Sequence, residues 1–137
     1  VMANYIFGLP GDDESTIKKT FDLSTELCTA GWNTYAAMAL PGSLLYKNAK
    51  TNNVELPSNY EGYSFHSYET LPLPTDKLKA HEILKLRDEA FIKYHTNKEF
   101  LNLIQRRFGS KSVNNILNMT KIKLKRKIIE ENLNANK

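Results

Sequence analysis

Apolar runs too short to be helices alternate with amphipathic stretches over the first fifty residues. Val1 to Phe7 is apolar, with β-favouring Tyr5, Ile6 and Phe7, and it stops at Gly8-Leu9-Pro10-Gly11, whose glycines and proline break regular backbone. The pattern predicts a buried strand over residues 2 to 7 that enters a loop. Asp12, Asp13, Glu14, Ser15 and Thr16 follow, offering N-capping side chains and negative charge to the positive end of a helix starting near residue 13. Ile17, Phe21, Leu23, Leu27 and Cys28 form its apolar stripe, and Gly31 is the expected left-handed residue that ends it near residue 30. Trp32 to Leu40 is a second apolar run, predicting a strand over residues 33 to 39, and Pro41-Gly42-Ser43 leads into a small helical patch through Leu44, Leu45, Tyr46 and Ala49. Strand, helix, strand and helix in that order imply a right-handed βαβ unit. Its loops at residues 8 to 12 and 40 to 43 should then share one rim, at the C-terminal ends of parallel strands.

The pattern changes after Thr51. Asn52-Asn53, Pro57-Ser58-Asn59, the aromatic and polar residues from Tyr60 to Tyr68, Pro72 and Pro74 predict an ordered loop over 51–75 carrying one short strand. Thr75 or Asp76 is expected to cap a helix running to about His95, and Thr96 or Asn97 a second helix to Phe108. Gly109 should break it, with a third helix from Ser110 to about Glu131. This gives a helical C-terminal region over 76–131 and a frayed tail over 132–137.

A length of 137 residues is too short for a complete (β/α)8 barrel, which takes about 250. Hydrophobic residues at 41% and charged residues at 25% exclude a wholly disordered chain. No run of about 18 apolar residues is present, so no membrane-spanning segment or membrane partner is expected. The start at Val1-Met2-Ala3-Asn4, without an initiator Met and inside an apolar run, reads either as an excised portion of a longer polypeptide, the stronger expectation, or as the product of N-terminal processing. The single cysteine, Cys28, cannot form an internal disulfide or supply a Cys-x-x-Cys half-site; it fits a reducing, cytoplasmic setting and reads as a packed core thiol.

Net charge is +4, and it is unevenly placed. Residues 111–137 hold seven Lys or Arg against two Asp or Glu, leaving the first 110 residues close to neutral at −1. Such a segment suits two roles: a basic nucleic-acid-binding module using residues 111–127, or a helix packed through Ile122, Leu124, Ile128 and Ile129. In the second, which the spread of Lys121, Lys123, Lys125, Arg126 and Lys127 favours, the basic residues lie in water.

Candidate chemistry is sparse. The loop Gly8-Leu9-Pro10-Gly11-Asp12-Asp13 reads either as a tight strand-to-helix turn or as a receiver of a polar or anionic ligand. It is not a P-loop, because no Gly-Lys-Ser/Thr follows and the acidic pair repels phosphate. His66, with Tyr63, Tyr68 and Glu69 close in sequence, is a proton carrier in type, though a surface or structural role is the stronger expectation. His81 and His95 lack metal-ligand spacing, so no metal ligand is assigned.

Two stretches, Asn4-Tyr5-Ile6-Phe7-Gly8-Leu9-Pro10-Gly11-Asp12-Asp13-Glu14-Ser15-Thr16 and Met38-Ala39-Leu40-Pro41-Gly42-Ser43-Leu44-Leu45-Tyr46, resemble successive late strands of the radical S-adenosylmethionine (SAM) enzyme barrel, through the turns I-x-G-L-P-G-[DE] and P-G-[ST]-x-L-Y. Gly62 to Thr75, followed by Leu86-Arg87-Asp88-Glu89-Ala90-Phe91, resembles the segment after the barrel in members with an N-terminal cobalamin-binding domain. The resemblance covers nearly the whole chain and rests on the order and spacing of these turns.

The resemblance implies an α/β fold: residues 1–50 as the C-terminal βα units of a partial (β/α) barrel with parallel strands, then the loop and the helical region. It implies an enzyme that holds a [4Fe–4S] cluster and SAM, with cobalamin as an associated cofactor of the branch, and cleaves SAM reductively to start radical chemistry. The family's Cys-x-x-x-Cys-x-x-Cys motif lies earlier in the barrel and Cys28 matches no part of it. The portion in hand is therefore expected to bind no cofactor and to be inactive alone, its partner being the remainder of its own polypeptide. The family's adenine motif, G-x-I-x-G-x-x-E, is matched at Ile6 and Gly8, while Asn4 replaces the first glycine and Gly11 the acidic residue. Adenine contact is thus expected at Ile6 and Gly8, and at Ala37, Met38 and Ala39 after the next strand. Strands cut from a barrel lose their neighbours, so self-association as a symmetric dimer is a further expectation.

Overall fold

The structure, a computed structural model, describes residues 1–136. It is α/β. Strand β1 (Met2–Phe7), helix α1 (Glu14–Leu27), strand β2 (Gly31–Ala36) and helix α2 (Leu44–Thr51) come first, followed by a 3-10 turn at Tyr60–Tyr63 and helices α3 (Ala80–His95), α4 (Lys98–Thr120) and α5 (Lys127–Ala135). β1 and β2 pair in parallel from Met2 with Gly31 to Phe7 with Ala36, as the βαβ pattern requires.

Period-two alternation divides the sheet into unequal faces. Tyr5, Phe7, Trp32 and Ala36 point to the helices and join Ile17 of α1, Ile83, Leu84 and Tyr94 of α3, and Phe100 and Ile104 of α4 in one core. Trp32 stacks on Tyr94 with centroids 4.7 Å apart, and the rings of Phe91, His95 and Tyr5 complete the aromatic packing around it. The opposite face carries Met2, Asn4 and Ile6; Met2 and Ile6 remain 62% and 48% exposed. Asn33 on this face donates to Asn4 Oδ1 at 3.1 Å, and Tyr35 meets the ring of Phe65.

Several elements depart from the sequence expectation. The left-handed residue that ends α1 is Cys28, at φ 44° and ψ 59°, and Gly31 instead opens β2. β2 stops at Ala36: the Ala37 N–H still donates to Phe7 O at 2.8 Å as the last rung of the ladder, but its carbonyl turns away and accepts from Leu73 N–H at 2.9 Å. The loop over 51–75 contains the 3-10 turn in place of a strand, capped by Asn59 Oδ1 accepting from Gly62 N–H. α3 begins four residues past Asp76, its first turn closed by the Glu82 carboxylate on the Lys79 N–H. Thr75 and Asp76 therefore do not cap it; Thr75 Oγ1 is used in a turn, accepting from the N–H groups of Lys77 and Leu78.

Asn97 does cap α4, and Gly109 kinks that helix at φ 79° without ending it. The expected helix from Ser110 to Glu131 is interrupted: α4 ends at Thr120, residues 121 to 126 are non-helical, and α5 starts at Lys127. Residues 132 to 135, expected to fray, form the end of α5, and the last residue of that tail, Lys137, lies outside the described residues.

The break at 121 to 126 has a cause. Arg126, expected among solvated basic residues, is 2% exposed. Its guanidinium donates to both oxygens of Asp88 on α3, to Ser67 O and to Thr70 Oγ1. Lys127 N–H donates to Tyr68 O, Lys127 Nζ to Glu69, and Tyr68 Oη to Glu130. The C-terminal segment is thereby tied both to α3 and to the loop over 64–70, in a position that a continuous helix would not reach.

Candidate functional site at the strand rim

In-register parallel pairing puts the loops after β1 and β2 at the same end of the sheet. The first turn is held by Asp12, whose Oδ2 accepts from the N–H groups of Gly8 and Leu9 at 3.0 and 3.1 Å. Thr16 Oγ1 donates to Asp12 Oδ1, and Asp13 caps α1 through the Thr16 N–H. Thr75 Oγ1 donates to Asp12 O at 2.8 Å, and Lys77 Nζ reaches Asp13 at 2.9 Å. The Lys77 ammonium and the Thr16 N–H hold the Asp13 carboxyl below its usual range, and Asp13 in turn raises Lys77. Because Asp12 occupies the Gly8 and Leu9 donors, this loop is a closed strand-to-helix turn and presents no free amide nest to an anion.

Gly8 is required twice over. Its φ is +82°, and a Cβ there would lie 2.8 Å from Ile83 Cγ2 and 2.9 Å from Cδ1. The matching turn after β2 is looser. Gly42 has φ +88° with open space around a Cβ, and Ser43 caps α2 by accepting from the Tyr46 N–H.

The five residues expected to contact adenine are brought to this rim, in different environments. Gly8 is buried against Ile83. Ile6 is half exposed on the uncovered face. Ala37, Met38 and Ala39 are buried; Ala37 has both backbone groups paired, and Ala39 packs with Ala49 and Leu73. The backbone groups of Met38 and Ala39 make no hydrogen bond among the described residues. Of the set, Ile6 alone is substantially exposed.

The other candidates lie elsewhere. His66 is exposed beside Arg87, Asp88 and Arg126; partial burial and the two guanidiniums lower its pKa. His95 is a core residue whose Nδ1 lies 2.8 Å from Phe91 O, an acceptor, so Nδ1 carries the hydrogen. Cys28 is half-buried against the core, and burial pushes its thiol up. Among the described residues no group of three or more His, Cys, Asp or Glu side chains is placed to hold a metal ion. No helix there is long and apolar enough to cross a membrane.

Comparison with protein-family patterns, with curated proteins and with solved structures gives no match for the chain. A functional reading therefore rests on the residues and their arrangement.

Proposed function

We propose that the chain is the C-terminal part of a radical SAM enzyme, contributing the last two βα units of its barrel and the helical region that follows. The observation that carries this reading is the inequality of the two strand edges. Gly31 and Ala37 donate to Val1 and Phe7, so the odd-numbered backbone groups of β2 face β1 and the even-numbered ones face outward. On the outer side Arg87 Nε donates to Thr34 O at 2.9 Å, masking the edge. The outer edge of β1, at Met2, Asn4 and Ile6, has no strand partner among the described residues, and on the sheet face bearing those side chains Met2 and Ile6 stay exposed while Phe65 packs on Tyr35. Parallel sheets are normally covered on both faces. Placing upstream parallel strands beside β1 pairs its edge and turns the bare face into a barrel interior.

In this reading the chain's own residues bind and orient. Ile6 offers an apolar surface at the rim, Met38 and Ala39 offer backbone donors and acceptors, and the Asp12-locked turn fixes Gly8 between strand and α1. SAM, when bound with a [4Fe–4S] cluster, supplies a 5′-deoxyadenosyl radical by reductive cleavage. A lone half-buried Cys28 does not fit as the ligand set of such a cluster, so the thiols belong to the remainder of the polypeptide. The alternative, a nucleic-acid-binding segment over 111–127, is weakened because Arg126 and Lys127 are engaged with Asp88 and Glu69.

The reading is tested by the coding sequence upstream of Val1, which is expected to encode three cysteines in the C-x-x-x-C-x-x-C spacing; a reading frame without them would contradict it. The same bare edge predicts that the 137-residue chain by itself self-associates as a symmetric dimer through β1. Light scattering across a dilution series is expected to show dimer dissociating on dilution, and a monomer at high micromolar concentration would oppose this.

A further inference from the structure

A cavity of about 630 Å³ lies on the far side of the sheet from the β1 edge, between the outer edge of β2, α3 and the C-terminal segment. It falls within the range of about 300–1,000 Å³ typical of small-molecule sites. Its wall is mainly apolar, with Phe91 and Ile92 from α3, Met119 at the end of α4, and Ile122 and Leu124 from the non-helical segment. Ile122 is 71% exposed, and Met119 and Leu124 are each 39% exposed. Apolar side chains left exposed around a concavity mark a binding surface more than a folding requirement.

The polar part of the wall is built around Arg87, which is 6% exposed. Its Nε donates to Thr34 O and its Nη1 to Asp88 Oδ1; Nη2 has no partner among the described residues. The guanidinium carbon sits 5.5 Å from the Phe91 ring centre, within cation–π range. Charge sets the sign of what fits. Asp88 is shared by two guanidiniums, Arg87 and Arg126, so this cluster holds one uncompensated positive charge. Lys85 and Glu89 at the wall oppose each other at 4.0 Å, and Lys123 adds another cation. The positive excess beside a buried guanidinium selects an anion, and the free Nη2 can donate a charge-assisted hydrogen bond to one oxygen of a carboxylate.

We propose that this cavity binds a small amphiphile with a single carboxylate, the carboxylate meeting Arg87 and the apolar body lying against Phe91, Ile92, Met119 and Ile122. The site is separate from the strand rim and requires neither a cluster nor SAM, so its test is independent of the radical SAM reading.

Trp32, the chain's only tryptophan, lines the cavity and reports on its contents. The experiment titrates the 137-residue chain with octanoate, 1-octanol and octylammonium while following tryptophan fluorescence. Saturable binding of octanoate is expected, at least about tenfold tighter than of 1-octanol, with octylammonium failing to saturate. Ile122→Asp, at an exposed position that leaves the fold intact, is expected to weaken octanoate by about tenfold or more through like-charge repulsion. Arg87→Gln is expected to remove the preference for octanoate over octanol. Should that variant lose its helical circular dichroism, Ile122→Asp alone decides. Equal affinity for octanoate and octanol, octanoate binding indifferent to Ile122→Asp, or no saturation with octanoate would each overturn the proposal.

Discussion

Arg126 closes on Asp88 as a fork on a carboxylate, Nε to Oδ2 at 2.9 Å and Nη2 to Oδ1 at 3.0 Å, across 38 residues of sequence. Asp88 also accepts from Arg87, which masks the edge of β2. A single carboxylate on α3 thus joins the strand edge to the C-terminal segment, and the remaining Arg126 Nη1 reaches the loop at Ser67 and Thr70.

Removing one partner of this group leaves buried charge uncompensated. Asp88→Ala is expected to destabilise the chain by about 3–5 kcal/mol, the range for breaking a buried ion pair, and Asp88→Ala with Arg126→Met by clearly less than the sum of the two single changes. Urea denaturation of the three variants measures this. Additive effects would mean that the two residues act separately.

The two rim glycines are expected to differ. Gly8→Ala meets both a left-handed backbone and Ile83 at 2.8 Å, a combination that costs about 2–4 kcal/mol. Gly42→Ala meets the backbone penalty alone, with open space around the new methyl, and should cost about 1–2 kcal/mol. Thermal or urea unfolding of the pair gives the difference, and equal losses would remove the role assigned to Ile83.

Stability should decline on mild acidification. His95 is packed among Trp32, Tyr94 and Phe100, and burial holds its pKa below the ordinary 6.5. Below that value the unfolded chain takes up the proton before the folded one. The stabilisation is therefore complete above about pH 6.5 and falls as pH drops toward the folded-state pKa. Urea midpoints measured from pH 7.5 to 5 are expected to decrease, and His95→Gln should flatten the part of that slope that belongs to His95. An unchanged slope in this variant would assign the dependence elsewhere, with His66 the next group whose pKa is lowered.

The βαβ unit was legible because its signals are local. The apolar run to Phe7, the Asp13 cap and the Ser43 cap all act within four residues of their own position. Gly31 misled because glycine at a helix end is the commonest left-handed residue, whereas here Cys28 takes that conformation and lets Thr29 O accept from Tyr94 Oη. Ile122 and Leu124 alternate with Lys121, Lys123 and Lys125, and this period of two is at odds with the helical period over the segment that breaks. Arg126 carried no such signal. It stands in a basic run, and only a carboxylate 38 residues away, brought near by the fold, distinguishes it from its solvated neighbours. The cavity was invisible for the same reason, since its wall is drawn from β2, α3 and the segment from Met119 to Ile129.

The proposed radical SAM reading is tested most directly by anaerobic reconstitution of the full gene product with iron, sulfide and SAM under reducing conditions, followed by assay for 5′-deoxyadenosine. The expected result is about four irons per polypeptide and reductant-dependent release of 5′-deoxyadenosine, impaired when the rim is disturbed by Ile6→Asp. A polypeptide that folds, incorporates no cluster and leaves SAM intact would contradict it.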